Sequence, residues 1–382
     1  MRKALLALTA VGLLATAGMT ACTDDGTGGT GSSGGSAKGG GTGQGKIGVI
    51  LPDTTTSQRW KIDDPKYLKA AFEAAGVPVD MQNAQGDKTR FLQIADKMIN
   101  DGVKVLMIVN LDSPTGKAVL DKAKAAKIKT VDYDRLTLNG GADYYVSFDN
   151  VQVGVLQGRG LVNCLEAKKA VNPVVAELNG SPTDNNATLF KQGYDSVLQP
   201  KYDLAEYTKG PDQSVPDWVN SEGGVIFEQM LKQQPKIRGV LAANDGLANA
   251  VIGVLKKYKL NGTVPVTGQD ATIDGFHNIL NGDQCLTIYK AIKPEAEAAA
   301  KLAIALYKGE NPTQQNVGQL IGKIKDPESG AYVPFVSLKP QAITKNDIQD
   351  VIDDKFVTVK EICSGRYADL CEANGIKEPD AK

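Results

Sequence analysis

The side chains best equipped for chemistry stand in pairs at the ends of apolar runs: Arg59 with Trp60, Asp134 with Arg135, Asp184 with Asn186, Asn244 with Asp245, Gln269 with Asp270, and Lys290 after Ile288-Tyr289. A carboxylate, amide or guanidinium offers two parallel hydrogen-bonding atoms, which match neighbouring hydroxyls on the edge of a pyranose. The C–H faces of such a ring are apolar and stack on an aromatic side chain, so Arg59-Trp60 could supply both kinds of contact from one segment. Taken singly, an Asp or Asn after a strand more often caps a helix than holds a ligand. Repetition at strand end after strand end is what points to a ligand.

Proton-transfer and metal chemistry have little to work with. Of 382 residues only His277 is a histidine, so no group of imidazoles can hold a metal and a nucleophilic triad could be built around one ring alone. His277 lies in Asp274-Gly275-Phe276-His277-Asn278, which reads as a surface helix. A glycosidase built on two of Asp134, Asp184, Asp245 and Asp270 needs one carboxyl with a raised pKa opposite the other. Each has an Arg, Asn or Lys neighbour, which suits hydrogen bonding better. No carboxylate loop has calcium-binding spacing; no metal, cofactor or enzymatic activity is expected. Lys+Arg at 43 against Asp+Glu at 44 gives a net charge of −1, without the basic field a nucleic acid requires.

The elements that must position these pairs alternate. Residues 46–51, 103–109, 129–133, 173–178, 240–243 and 264–268 read as buried strands, and 66–75, 90–100, 116–126 and 246–258 as amphipathic helices. Strands apolar on both faces, separated by helices, indicate parallel sheets covered on each side. The rhythm restarts after Asn150, which predicts an α/β chain of two doubly wound, Rossmann-like lobes. In such sheets ligands bind beyond the carboxyl ends of the strands, where the polar pairs fall.

At the N-terminus, Arg2 and Lys3 precede an apolar run and Met19-Thr20-Ala21-Cys22. This is the layout of an export signal over residues 1–21, too short to span a bilayer, and it resembles the bacterial lipoprotein signal, in which the cysteine is acylated. In residues 22–45, 11 of 24 are glycine, the composition of a flexible tether. Its GxGxxG at Gly26, Gly28 and Gly31 and its partial P-loop at Gly40, Gly45 and Lys46 follow no strand, and Ile47 replaces the required Ser or Thr. Four cysteines remain, an even number suited to bridges outside the cell. Cys363 and Cys371, close in sequence, can clip the C-terminal tail, leaving Cys164 with Cys285.

Seven motifs in one order carry a family resemblance: Ser57-Gln58-Arg59-Trp60 with Asp63, Tyr133-Asp134-Arg135, Ser147-Phe148-Asp149-Asn150, Gly180-Ser181-Pro182-Thr183-Asp184-Asn185-Asn186, Ala243-Asn244-Asp245, Gly268-Gln269-Asp270 and Ile288-Tyr289-Lys290. From about Lys46 onward the chain resembles the sugar-binding proteins of bacterial ABC importers, of the ribose/galactose type, and among them the xylose binders. Ser147 to Gln157 is also similar to the multiple-sugar binders. The resemblance implies a type I periplasmic binding protein fold with a three-segment hinge. Its lobes would be 46–147 with 290–332, and 148–289 with 333–382, crossing near Ser147, Lys290 and Val333. It implies a monosaccharide ligand, D-xylose first and glucose, arabinose or galactose next, bound by a monomer and delivered to an ABC permease from the outer face of the cytoplasmic membrane. The lipid on Cys22 would be the only membrane contact.

By matching motifs, Arg59 would bond a hydroxyl, Trp60 would stack, Asp134 and Arg135 would clamp, and Asp184, Asn186, Asn244 and Asp270 would close the ring, with Lys290 at a crossing. Xylose binders carry a second aromatic after Asp212-Gln213. Here that position is Ser214, and Trp218 is the ring available to cover the other sugar face. Replacing Arg59 or Asp270 by Ala is expected to abolish binding and leave the melting temperature nearly unchanged. A sugar-responsive transcription regulator would need a helix-turn-helix where this chain has an export signal. Presentation of sugar to a membrane receptor kinase or chemoreceptor uses no motif that separates it from uptake.

Overall fold

Ile47–Leu51, buried along its whole length, forms β1. It is followed by α1 (Asp63–Ala74), β2 (Val79–Asn83), α2 (Lys88–Asn100), β3 (Val105–Ile108), α3 (Ser113–Ala125), β4 (Lys129–Tyr133) and β5 (Tyr144–Phe148). The structure, a computed structural model, describes residues 45–379. The expected export signal, Cys22 and the glycine-rich stretch up to residue 44 lie outside the described residues.

Beyond β5 the chain forms α4 (Asn150–Ala167), β6 (Val174–Asn179), α5 (Asn185–Asp203), β7 (Thr208–Ser214), α6 (Asn220–Gln233), β8 (Ile237–Ala242), α7 (Asp245–Lys257), α8 (Ile273–Asn281) and β9 (Thr287–Tyr289). It then returns through α9 (Ile292–Tyr307), α10 (Gln314–Val317), β10 (Ile321–Lys325) and β11 (Tyr332–Leu338), and ends in β12 (Gln341–Ile343), α11 (Ile348–Asp353), α12 (Val359–Ile362) and α13 (Ala368–Ala373).

Two separate sheets define two lobes. The first has strand order β10-β11-β5-β4-β3-β1-β2, parallel apart from β10. Alternate residues of β1 face opposite layers: Val49 and Leu51 pack with Leu68 and Phe72 of α1 and Ala299 of α9, while Ile50 packs with Phe91 of α2 and Val119 of α3. That alternation is what a strand covered on both faces requires. The second lobe carries β7-β6-β8, with α4 and α5 on one side.

The expected strand at 264–268 is reduced to a single parallel bridge, Val240 to Val266. Pro265 has no N–H to add to a ladder. Three helices begin one to three residues before the amphipathic patterns do, because Asp87, Asp112 and Asn244 cap them through their side chains. The strands that escaped the sequence reading include β2 and β7, edge strands with polar sequences, VDMQN and TKGPDQS.

The crossing expected near Val333 lies later. Phe335 to Leu338 pair in parallel with Tyr145 to Phe148, so β11 belongs wholly to the first lobe and the chain leaves it after Leu338. His277 is also not on an open surface. It is half-buried, with Nε2 2.9 Å from the Ile362 carbonyl and its ring stacked on Tyr367 at 3.6 Å, and so pins the C-terminal segment to α8. That segment is clipped by the Cys363–Cys371 disulfide, and a second bridge, Cys164–Cys285, ties α4 to the approach to β9. Among the described residues no helix is long and apolar enough to cross a membrane.

Candidate ligand-binding site

The strand ends of both lobes converge on one small polar cavity between them. The ten residues given ligand roles from sequence all line it: Arg59, Trp60, Asp134, Arg135, Asp184, Asn186, Trp218, Asn244, Asp270 and Lys290; Asp245, the neighbour of Asn244, does not. Thr56, Ser57, Phe190 and Gln269 complete the wall.

On the first-lobe side, the loop after β1 is shaped by Asp53, whose carboxylate accepts from the Thr55 and Thr56 amides, both at 2.8 Å, and the Thr56 hydroxyl at 2.7 Å. That loop delivers Arg59, 3% exposed, into a nest of carboxylates. Nε and Nη2 donate to Asp64 at 2.9 and 2.8 Å, Nη1 to Asp134 at 2.7 Å, and Nη2 also to Glu295 at 2.6 Å. Tyr133 donates its hydroxyl to Asp64 at 2.5 Å. The guanidinium also lies over the Trp60 ring, 4.1 Å from its centroid. Burial works against the charge on Arg59, and Asp64, Glu295 and Asp134 overcome it, so its pKa is raised further. The residue is thus a structural member of the first lobe as well as a cavity donor, which corrects the expectation that it can be removed at no cost in stability.

Asp134 has a left-handed backbone, φ 61°, a conformation that non-glycine residues adopt only when their surroundings enforce it. Here its carbonyl accepts from Tyr145 Oη at 3.0 Å, Ser147 Oγ at 2.7 Å and Asn186 Nδ2 at 2.9 Å. Burial would push the Asp134 carboxyl up, but Lys290, Arg59 and Arg135 outweigh it and hold it below the usual carboxylate range. It therefore remains an acceptor.

On the second-lobe side, Asp184 caps α5 through Asn186 N at 2.9 Å and accepts from Trp218 Nε1 at 3.1 Å. Asn244 caps α7 through Oδ1. Both are caps and cavity residues at once. Asp270, at φ 97°, accepts from Gln269 Nε2 at 2.6 Å. Beneath this face Asp245 is fully buried and accepts from Thr272 N, Thr272 Oγ1, Thr287 Oγ1 and Gln284 Nε2. Burial pushes its carboxyl up to about 7 against those hydrogen bonds. It supports the loop that carries Asp270 and does not reach the cavity.

The lobes touch across the cavity. Asn186 Nδ2 donates to Asp134, Ser57 Oγ donates to Asp270 at 3.3 Å, and Arg135 Nε stands 3.0 Å from Asp184 Oδ2 with its N–H out of line for a hydrogen bond. Lys290 Nζ, at the second crossing, is 3.7 Å from both Asp134 and Asp270, beyond direct hydrogen-bond length, and close to the Phe148 and Phe190 rings. Trp218 already stands in the wall, nearly buried, while Ser214 is exposed at the end of β7. The chemistry on offer is fixed donors, fixed acceptors and two indole rings; the carboxylates facing the cavity each sit against a cation, an indole N–H or an amide.

The sequence reading missed the layer behind the wall. Asp64, and not Asp63, is the forked partner of Arg59. Glu295 lies 236 residues from Arg59 in sequence, and its only local signal is a carboxylate in the first turn of an otherwise alanine-rich helix.

Comparison with known proteins agrees with this architecture. Residues 47–311 match the model of the periplasmic binding protein domain. The D-xylose-binding periplasmic protein of Escherichia coli (strain K12) is 35% identical over 319 residues, 83% of this chain and 92% of that protein. The multiple sugar-binding periplasmic receptor of Rhizobium radiobacter is 33% identical, covering 81% of this chain and 89% of the receptor. Among solved structures, an ABC transporter solute binding protein from Clostridium phytofermentans with bound β-D-glucose superposes with a TM-score of 0.74 at 26% identity, covering 83% of this chain and 99% of that one.

Proposed function

The chain belongs to the periplasmic binding protein family, and on that premise we propose that it captures one neutral monosaccharide between its lobes, D-xylose first and glucose, arabinose or galactose next, for delivery to an ABC permease. It is an extracytoplasmic sugar-binding protein of the type that serves ABC importers, and not an enzyme. The observation that carries the ligand reading is the convergence of both lobes' strand-end pairs, with Trp60 and Trp218, on a single cavity. Arg59, Asp134, Arg135 and Lys290 act from the first lobe and the crossing; Asp184, Asn186, Asn244 and Asp270 act from the second. Trp60 and Trp218 cover the two sugar faces. Asn186, Asp184 and Arg59 already make several protein contacts, so they present oriented atoms and lose little freedom when sugar arrives.

Sugar has to bind the closed arrangement better than an open one for closure to signal anything to a permease. Acylation of Cys22 would keep the monomer at the outer face of the membrane. Titration calorimetry of the protein against D-xylose, D-glucose, L-arabinose and D-galactose tests the reading: one site per chain is expected, and no heat with any of the four overturns it. Radiolabelled palmitate incorporated in bacterial cells should mark the wild-type chain and leave Cys22→Ser unlabelled.

A further inference from the structure

Glu295 is fully buried near the start of α9, five residues after Lys290. Its Oε2 accepts from Arg59 Nη2 at 2.6 Å, and its Oε1 has no partner. A guanidinium has five N–H groups. Asp64 takes those on Nε and Nη2, Glu295 the second on Nη2, and Asp134 one on Nη1. One Nη1 N–H is left for the cavity that Arg59 lines. Because the same plane stacks on Trp60, whatever fixes the guanidinium fixes both that donor and the indole.

The groups around Glu295 are few and charged. Arg59 comes from the turn after β1, Asp64 from α1, Tyr133 and Asp134 from the end of β4, Tyr145 from β5 and Lys290 from the crossing. Arg59 alone touches Asp64, Asp134 and Glu295, one guanidinium for three carboxyls, and the nearby Lys290 ammonium is shared between Asp134 and Asp270 at 3.7 Å. With every carboxyl ionised, an unpartnered anionic oxygen would be shut away from water, the most costly arrangement available. A proton on Glu295 removes that excess while Oε2 still accepts from Arg59. Burial pushes the Glu295 carboxyl up to about 8, with Arg59 opposing.

We propose that Glu295 is a positioning residue for sugar binding, holding the Arg59 guanidinium from behind as a neutral carboxylic acid so that one Nη1 N–H and the Trp60 ring face the ligand. The proposal rests on the sugar-binding reading above. It gives α9, the element that begins at the second crossing, a direct hold on the binding wall.

The test is calorimetry of wild type, Glu295→Gln and Glu295→Ala with D-xylose, or with whichever of D-glucose, L-arabinose and D-galactose gives heat if xylose does not, at about pH 6.5 and about pH 9. At the lower pH, Glu295→Ala should bind about tenfold more weakly or worse, the scale of losing one charge-assisted hydrogen bond. Glu295→Gln keeps an acceptor for Nη2 without the acid, so it should bind within about threefold of wild type. Wild type should weaken toward the higher pH as the carboxyl ionises, and Glu295→Gln should not. If Glu295→Ala does not fold, the pH comparison of wild type with Glu295→Gln decides alone. Unchanged affinity in Glu295→Ala, a flat wild-type profile, or the same pH dependence in Glu295→Gln each overturns the positioning role while leaving sugar binding intact. A wild-type protein that binds none of the four sugars overturns the reading and this proposal with it.

Discussion

The two walls of the cavity rest on buried carboxylates held in opposite ways. In the first-lobe wall and just behind it, Asp134, Asp64 and Glu295 surround the Arg59 guanidinium. Behind the second-lobe wall, Asp245 accepts only from neutral donors: the Thr272 amide and hydroxyl, the Thr287 hydroxyl and the Gln284 amide. An ion cluster in a low dielectric holds while it is complete, and removing one member leaves charges with no compensation. A set of dipoles loses one hydrogen bond at a time. The first wall should therefore fail as a unit and the second by degrees.

Arg59→Ala is the most severe way to strike at the contrast. It strands three carboxyls, each at most 3% exposed, and should cost about 3–5 kcal/mol of folding stability along with sugar binding. Urea unfolding at neutral pH reads this, and a midpoint equal to wild type would show that the cluster is not a unit. Asp270 is the matching probe on the second wall. Its left-handed backbone penalises alanine, so Asn is the cleaner replacement. Asp270→Asn should lower sugar affinity about thirtyfold, as for a hydrogen bond to a charged group, and leave the unfolding midpoint within error of wild type.

The neutral support makes a prediction with pH. Burial pushes both Asp245 and Asp132 up to about 7; Asp132, in the first lobe, accepts from the Thr137 amide and hydroxyl. Unfolded, each titrates near 3.9. Between those values the native state holds protons that the unfolded chain has lost. The stability this contributes is complete below about pH 4 and disappears as pH rises through about 7. Asp134 has the opposite sign, its folded carboxyl being held low, and its contribution is lost on acidification. The melting temperature should thus fall by several degrees between about pH 5.5 and about pH 8.5, and Asp245→Asn should remove part of that fall. A melting temperature flat across this range would mean that dipoles alone hold an ionised Asp245, and the two supports would no longer differ.

Much of the wall was legible because each pair sits next to the strand that positions it: Asp134-Arg135 follows β4, Asn244-Asp245 follows β8, and adjacency in sequence becomes adjacency at a sheet edge. Parallel strands buried on both faces likewise announce themselves as unbroken apolar runs. What stayed hidden depends on contacts that cross the chain. Asp64 and Asp63 are equivalent in sequence, and only the turn of α1 selects the one that meets Arg59. The end of β11 could not be read from its own residues, because Pro334 and Ser337 interrupt the apolar pattern and its place is fixed by pairing with β5. His277 looked solvent-facing since its partners, Ile362 and Tyr367, come from the C-terminal segment.

The smallest expected effect concerns how each wall holds its aromatic ring. Trp60 is backed by the Arg59 guanidinium, whereas Trp218 is held by one hydrogen bond from Nε1 to Asp184 and by close packing on Gly180. Trp218 itself has a left-handed backbone, φ 58°, so the ring is placed by its contacts in spite of its backbone preference. Trp218→Phe keeps an aromatic face and loses the hydrogen bond and part of the area, and should weaken sugar binding only about three- to tenfold. Gly180→Ala keeps the Trp218 side chain intact, yet its new methyl would occupy the space of the indole's benzene edge, so it should weaken binding at least as much by displacing the whole ring. Calorimetry on the two variants separates the cases. If Gly180→Ala binds normally, the position of Trp218 is not what covers the second sugar face, and the second wall is softer than its hydrogen bonds suggest.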